Sequence, residues 1–99
     1  HGATYTCDVN FSCDELNSET NWVLDIGQAF DILSKVLGKY NLKNLDEVFS
    51  NKELTTTEFM AHQIHNDLCK HLKELGFSGD MCVKLWESHN AWASYEGPV

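Results

Sequence analysis

A single carboxylate, Glu87, lies inside an apolar and aromatic stretch near the C-terminus, residues 85–95. Side chains of residues 81–87 alternate between the two faces of a predicted half-buried strand. Residues 92–95 are typical of a second strand that pairs with it in a hairpin. Glu87 has the parity of Leu85, so we expect it on the buried face, where an unpaired carboxylate is costly. It is then protonated, paired with a cation, or bound to a ligand that donates hydrogen bonds. A strand-end glutamate that reaches solvent or pairs with a lysine is the alternative.

Histidines supply the other side chains that could do chemistry. His89 follows that carboxylate by two residues, so it shares the ligand-facing side if the strand continues and is a solvated turn residue if it does not. His62, His65 and His71 lie beside the apolar stripe of a predicted helix. Two histidines three residues apart can share a metal ion, but no third ligand is in register. We therefore expect these three to be solvated or capping side chains.

Composition limits the class of protein. The 99 residues fit one domain, 1–99, and the net charge is −8 with seven lysines and no arginine. Nucleic-acid binding depends on clustered positive charge, so DNA or RNA is not an expected partner. No apolar run approaches the ~20 residues of a membrane span. We expect a cytoplasmic protein without a membrane partner, with its four cysteines as reduced thiols rather than disulfides.

The N-terminal third predicts strands. Residues 1–13 alternate between apolar and polar side chains, which favours a strand with one buried face in an antiparallel sheet. By the same parity, His1 should point inward at its start. Residues 22–26 form a short apolar run that favours a second, shorter strand.

The middle of the chain changes to helical periodicity. A first helix is expected over about residues 27–40, with Asp25 as its N-cap. A second should begin at Thr55, which has capping-box spacing to Glu58, and end before Gly76. The predicted order is therefore β-β-α-α-β-β. It describes an α+β fold in which two helices pack on one face of an antiparallel sheet.

Five segments along the chain together resemble the 6-pyruvoyl-tetrahydropterin synthase and 6-carboxy-tetrahydropterin synthase family. They are His1-Gly2-Ala3-Thr4-Tyr5, Val23-Leu24-Asp25-Ile26-Gly27, Lys43-Asn44-Leu45-Asp46, Thr56-Thr57-Glu58, and Trp86-Glu87-Ser88 with Tyr95. The resemblance implies the tunnelling fold, in which subunits form trimeric barrels that pair into hexamers. It also implies that the family's first strand would precede His1 and is missing from this sequence.

The resemblance assigns substrate-binding roles to three residues. A glutamate at the position of Glu87 holds the pterin ring, assisted by Thr56 and Thr57. The aminopyrimidinone edge of a pterin offers two adjacent N–H donors, which a carboxylate can accept in a bidentate pair. This ligand would resolve the question of what Glu87 binds.

The catalytic residues implied by the resemblance are only partly present. Family zinc sits on three histidines, of which His1 is the one visible here, and Ala3 stands where a second is expected. The family's catalytic Asp-His pair maps onto Asn41-Leu42, neither of which transfers protons. His89 is the candidate replacement, either as a metal ligand or as an acid/base imidazole.

Three functions remain open from the sequence. The first is a divergent, zinc-dependent carbon–oxygen lyase of this family that acts on a reduced pterin such as 7,8-dihydroneopterin triphosphate. The alternative is a catalytically inactive, oligomeric protein that binds a pterin or purine. A third is a structural oligomeric module in which Glu87 lies at an interface.

Overall fold

The structure, a computed structural model that describes residues 4–41, 44–50 and 54–99, has one three-stranded sheet. The strands are antiparallel and lie in the order β1-β2-β3, and the α+β class expected from the sequence is confirmed. In chain order the elements are β1 (Thr6–Ser12), α1 (Ile26–Gly38), α2 (Leu45–Val48), α3 (Thr57–Glu74), β2 (Asp80–Ser88) and β3 (Ala91–Pro98).

The alternation predicted for the first strand is confirmed in β1. Its odd-numbered residues are half-buried and its even-numbered residues exposed along the whole strand. Val9 pairs with Val83 of β2, so the apolar sides of both strands face the same way. The period of two therefore places the core on one face of the sheet and leaves a polar face on the other.

The core lies between this apolar face and α3. Leu68 and Leu72 of α3 are fully buried, as are Met81 and Val83 of β2. α3 packs directly on β2 and β3, and α1 packs against α3, where Val36 is fully buried. None of the described helices is long and apolar enough to cross a bilayer.

Side chains cap the N-termini of both long helices. Asp25 is the N-cap of α1, as predicted, and its Oδ1 accepts a hydrogen bond from the Gly27 amide at 2.8 Å. The prediction of Thr55 for α3 is wrong by one residue: Thr56 has the extended backbone of an N-cap, and its Oγ1 accepts from the Phe59 amide at 3.1 Å. An N-cap side chain usually accepts from the backbone amide two or three residues further along the chain, and Thr56 has this relation to Phe59.

The second, shorter strand predicted at residues 22–26 is not formed. Residues 22–24 bend toward α1 instead of pairing with the sheet, and Ile26 begins that helix. Trp22, Val23 and Leu24 line an apolar cavity of about 510 Å³ between β1 and α1. The apolar side chains of residues 22–24 therefore face β1 and α1 although the segment pairs with no described strand.

Candidate functional site

Glu87 occupies an irregular position at the end of β2. Trp86 pairs with Trp92 and Ser88 pairs with Ala91, so Glu87 is an extra residue on its strand, as in a β-bulge. The expectation that Glu87 is buried is wrong, because the pairing with β1 ends at Trp86 and Glu87 is exposed beyond it. The alternative, a strand-end glutamate that reaches solvent, is the one observed. The bulge therefore presents this carboxylate to solvent at the edge of the core.

A pocket of about 540 Å³ lies at this end of the sheet. Its walls come from the start of β1 and the end of β2, and its lining residues are Thr4, Thr6, Asp8, Trp86, Glu87, Ser88 and His89. Hydroxyls, carboxylates, an imidazole and one indole therefore meet in one open depression. Ligand pockets commonly combine a few polar groups that fix orientation with an aromatic surface, and this lining offers both.

The two carboxylates of the pocket differ in their partners. Asp8 accepts a hydrogen bond from the Trp86 indole, with Nε1 2.9 Å from Oδ2, which also fixes the orientation of the indole ring. Among the residues that the structure describes, none donates a hydrogen bond to Glu87 or forms an ion pair with it. Glu87 is therefore the carboxylate with full acceptor capacity for a ligand.

His89 lies in the hairpin turn rather than in a continued strand. β2 ends at Ser88, and His89 and Asn90 form the turn, with the Asn90 amide 3.3 Å from the Ser88 hydroxyl that accepts from it. The imidazole is exposed, yet His89 lines the same pocket as Glu87. The turn therefore brings together the two candidates that the sequence placed two residues apart.

Thr56 and Thr57 do not line this pocket. Thr56 is exposed and uses its hydroxyl as the α3 N-cap, whereas Thr57 is buried, and its Oγ1 has no hydrogen-bond partner within the described part of the chain. α3 runs with its N-terminus toward the hairpin turn, since His62 stacks on Tyr95 and His65, further along the helix, contacts Gly97, further from the turn. Both threonines therefore lie toward the same end of the sheet as Glu87 without joining it in one pocket.

The predicted metal ligand His1 lies outside the described residues, as do Ala3 and Leu42. Within the described ranges, no three His, Cys, Asp or Glu side chains come together in a group that could hold a metal ion. The described residues alone therefore do not fit a zinc site. Asn41 is described and is exposed.

His65 is a residue that sequence reasoning misjudged. It is buried, and its Nε2 lies 3.1 Å from the Met81 carbonyl and 3.3 Å from the Gly97 carbonyl. Carbonyl oxygens only accept, so Nε2 must carry the proton and donate. The expectation of a solvated or capping side chain is wrong for His65, because its partners come from strands distant in sequence.

The four cysteines are free thiols in the structure. Cys69 Sγ lies 3.5 Å from Nδ1 of His65, and burial raises the pKa of the Cys69 thiol. Burial and, secondarily, the charge of Asp8 raise the pKa of Cys7 to about 11. Both thiols are therefore held in their neutral form at ordinary pH.

The sheet, its helices and the pocket beside the ends of β1 and β2 define an α+β domain with an exposed carboxylate, Glu87, at the pocket wall. The family model described as 6-pyruvoyl tetrahydropterin synthase matches residues 1–98. The chain belongs to the 6-pyruvoyl tetrahydropterin synthase family, and its fold is consistent with the tunnelling fold. No curated protein matches the chain significantly.

Proposed function

We propose that this protein is a divergent pterin synthase that holds a reduced pterin, such as 7,8-dihydroneopterin triphosphate, through Glu87. The observation that carries the proposal is the exposed Glu87 carboxylate, which has no partner among the described residues and stands at the wall of a pocket of about 540 Å³. Membership of the family supports a pterin as the ligand.

The chemistry of the ring matches what Glu87 offers. The aminopyrimidinone edge presents two adjacent N–H donors, and each charge-assisted hydrogen bond contributes roughly 1.5–3 kcal/mol. Trp86 lines the same pocket with an indole that Asp8 holds in place, so a planar ring has an ordered aromatic neighbour. Bidentate acceptance and ring contact together favour a pterin over a ligand without paired donors.

The two threonines support a site that is completed by self-association. We propose that Thr56 and Thr57 assist in binding the ring, although neither lines the Glu87 pocket of a single chain. The Thr57 hydroxyl is buried and has no hydrogen-bond partner among the described residues, so a ligand would use its donor and acceptor capacity only if association shifted this segment and opened it. A trimer or hexamer, as in the family's tunnelling fold, would join the two parts, and sedimentation with and without pterin tests this.

At the side chain of the ligand, we propose His89 as the group that moves a proton. Its exposed imidazole lines the Glu87 pocket, and an imidazole has one ring nitrogen that can accept a proton and one that can donate it. His1 remains a proposed zinc ligand, and the described residues supply no complete set beside it. Elemental analysis of the protein and of a His1→Ala variant tests this: stoichiometric zinc that the variant lacks supports His1, and unchanged zinc excludes it.

A catalytically inactive pterin- or purine-binding protein is the second candidate. Asn41 favours it, because an exposed amide stands where the resemblance implies a catalytic aspartate, and an amide does not transfer protons at neutral pH.

In either case we propose a cytoplasmic location, which is compatible with four free thiols.

Turnover distinguishes the two candidates. The protein is incubated with 7,8-dihydroneopterin triphosphate, and release of inorganic triphosphate is followed by phosphorus NMR. We expect release that is slowed in His89→Ala while ligand affinity is kept. Binding without release in the unaltered protein would assign the inactive function instead, and the absence of binding would contradict both.

A further inference from the structure

A lysine lies between two indole rings on the polar face of the sheet, opposite α3. The Nζ of Lys84 is 3.8 Å from the centroid of the Trp92 ring and 4.3 Å from that of Trp86. Lys84 is half-buried, whereas Trp92 is 51% exposed. The π faces of the two indoles attract the ammonium and hold it in a defined position on this surface.

The charge of Lys84 is not neutralised by a carboxylate. Its register partner on β1 is Asp8, but Asp8 accepts from the Trp86 indole instead. Within the described ranges, the ion pair that the structure contains is that of Lys39 with Asp67, and no side chain accepts a hydrogen bond from Lys84. The ammonium therefore keeps its N–H donors available for an anionic ligand.

Lys84 is also the single lysine of the three strands, all of which are fully described. The face around it is acidic, since Asp8, Asp80 and Glu96 share its side of the sheet. These carboxylates repel an anionic group that approaches this face, and the Lys84 ammonium attracts it. A phosphate on this surface is therefore directed to Lys84.

Lys84 lies next to the Glu87 pocket. Asp8 and Trp86, which line the Glu87 pocket, are its cross-strand partner and its cation–π partner. Lys84 precedes Glu87 by three residues, which corresponds to about 10 Å along a strand. A ligand whose ring binds Glu87 can thus extend an anionic side chain along the sheet toward Lys84.

We propose that Lys84 binds a phosphate of the ligand side chain and makes the site select phosphorylated over unphosphorylated pterins. This inference rests on the proposed function, because it requires the ring to be held at Glu87. It adds a determinant of substrate specificity on the sheet face that adjoins the pocket, next to Asp8 and Trp86.

The test compares the affinities of two ligands, 7,8-dihydroneopterin triphosphate and 7,8-dihydroneopterin, for the full chain. In Lys84→Met, which keeps an unbranched stem between the indoles, we expect the preference for the triphosphate to fall by about tenfold or more, as expected for one charge-assisted hydrogen bond. Affinity for 7,8-dihydroneopterin should stay within about twofold, since the ring contacts are unchanged. Lys84→Arg should restore the preference.

Lys70→Met, an exposed lysine of α3 away from the polar face, is the matched control and should leave both affinities unchanged. An unaltered preference in Lys84→Met would overturn the inference while ring binding at Glu87 stands. An equal loss for both ligands would assign Lys84 a structural role and also overturn it. If neither ligand binds the unaltered protein, the proposed function and this inference fail together.

Discussion

At the scale of single residues, His65 shows how one polar side chain can join a helix to two strands. Its Nε2–H faces two carbonyls, Met81 O on β2 and Gly97 O on β3, and its Nδ1 is then the acceptor for the Cys69 thiol. The ring is therefore a fixed tautomer in the core rather than a metal ligand or a solvated group. Its position depends on three elements being in place at once.

Replacing His65 by leucine should destabilise the fold. The variant removes a buried donor and leaves two carbonyls without it, so we expect the free energy of unfolding to fall by about 1–3 kcal/mol. Urea denaturation measures this. Asn66→Leu, at the neighbouring exposed position of α3, is the control and should change stability by less than about 0.5 kcal/mol. Equal effects of the two variants would show that the buried donor contributes nothing.

Cys7 makes stability depend on pH in the alkaline range. Its pKa is raised by burial from 9.0 to about 11 in the folded protein, so the folded state binds a proton that the unfolded state has released. The stability that the neutral Cys7 thiol contributes is therefore fully present below pH 9.0 and is lost as the pH rises toward 11. We expect the unfolding free energy to fall across that window, and to fall less in Cys7→Ala. An identical alkaline decline in both proteins would exclude Cys7 as the cause.

At the scale of elements, a buried carboxylate connects α1 to α3. Asp67 of α3 accepts hydrogen bonds from the hydroxyl of Tyr40, just after α1, and from Lys39 at 3.3 Å. Asp67 is buried, whereas the Lys39 side chain is 57% exposed. Burial and the hydrogen bond to Asp67 raise the pKa of Tyr40, so its hydroxyl stays a donor at ordinary pH. The neutral hydroxyl is therefore the better shielded partner of this carboxylate.

Tyr40→Phe should consequently cost more stability than Lys39→Met. We expect a loss of about 1–3 kcal/mol for Tyr40→Phe, because a buried carboxylate loses a donor. For Lys39→Met we expect about 0–1 kcal/mol, since an exposed ion pair is screened by solvent. Chemical denaturation of both variants at neutral pH measures the two values. A larger effect of Lys39→Met would contradict this ranking.

The sequence predicted elements whose signals are local and missed those that depend on distant contacts. The alternation in β1 and the cap at Asp25 depend on neighbouring residues, and both are confirmed. The bulge at Glu87 depends on how β2 pairs with β3, and the burial of His65 depends on carbonyls far along the chain. Residues 22–26 have a strand-like composition, but only part of the segment packs inward: Leu24 contacts the core, whereas Trp22 and Ile26 stay largely exposed.

At the scale of the whole molecule, the candidate site is divided. Glu87 and His89 line one pocket, and Lys84 stands on the adjoining sheet face. Thr57 is buried elsewhere, and its hydroxyl has no hydrogen-bond partner among the described residues. Both outer strands, β1 and β3, leave an edge unpaired among the described residues, and a sheet edge is a template for pairing with another chain. Self-association would therefore both cover the edges and complete the site that we propose.

The most direct test of the central claim is the affinity of the protein for 7,8-dihydroneopterin, compared between Glu87→Gln and Glu96→Gln. Both variants replace an exposed carboxylate of the same hairpin by an amide of equal size. We expect Glu87→Gln to weaken binding by about tenfold or more, because one or both charge-assisted hydrogen bonds to the ring are lost, while Glu96→Gln binds as the unaltered protein does. Undiminished affinity in Glu87→Gln, with the fold intact, would contradict pterin recognition by this carboxylate.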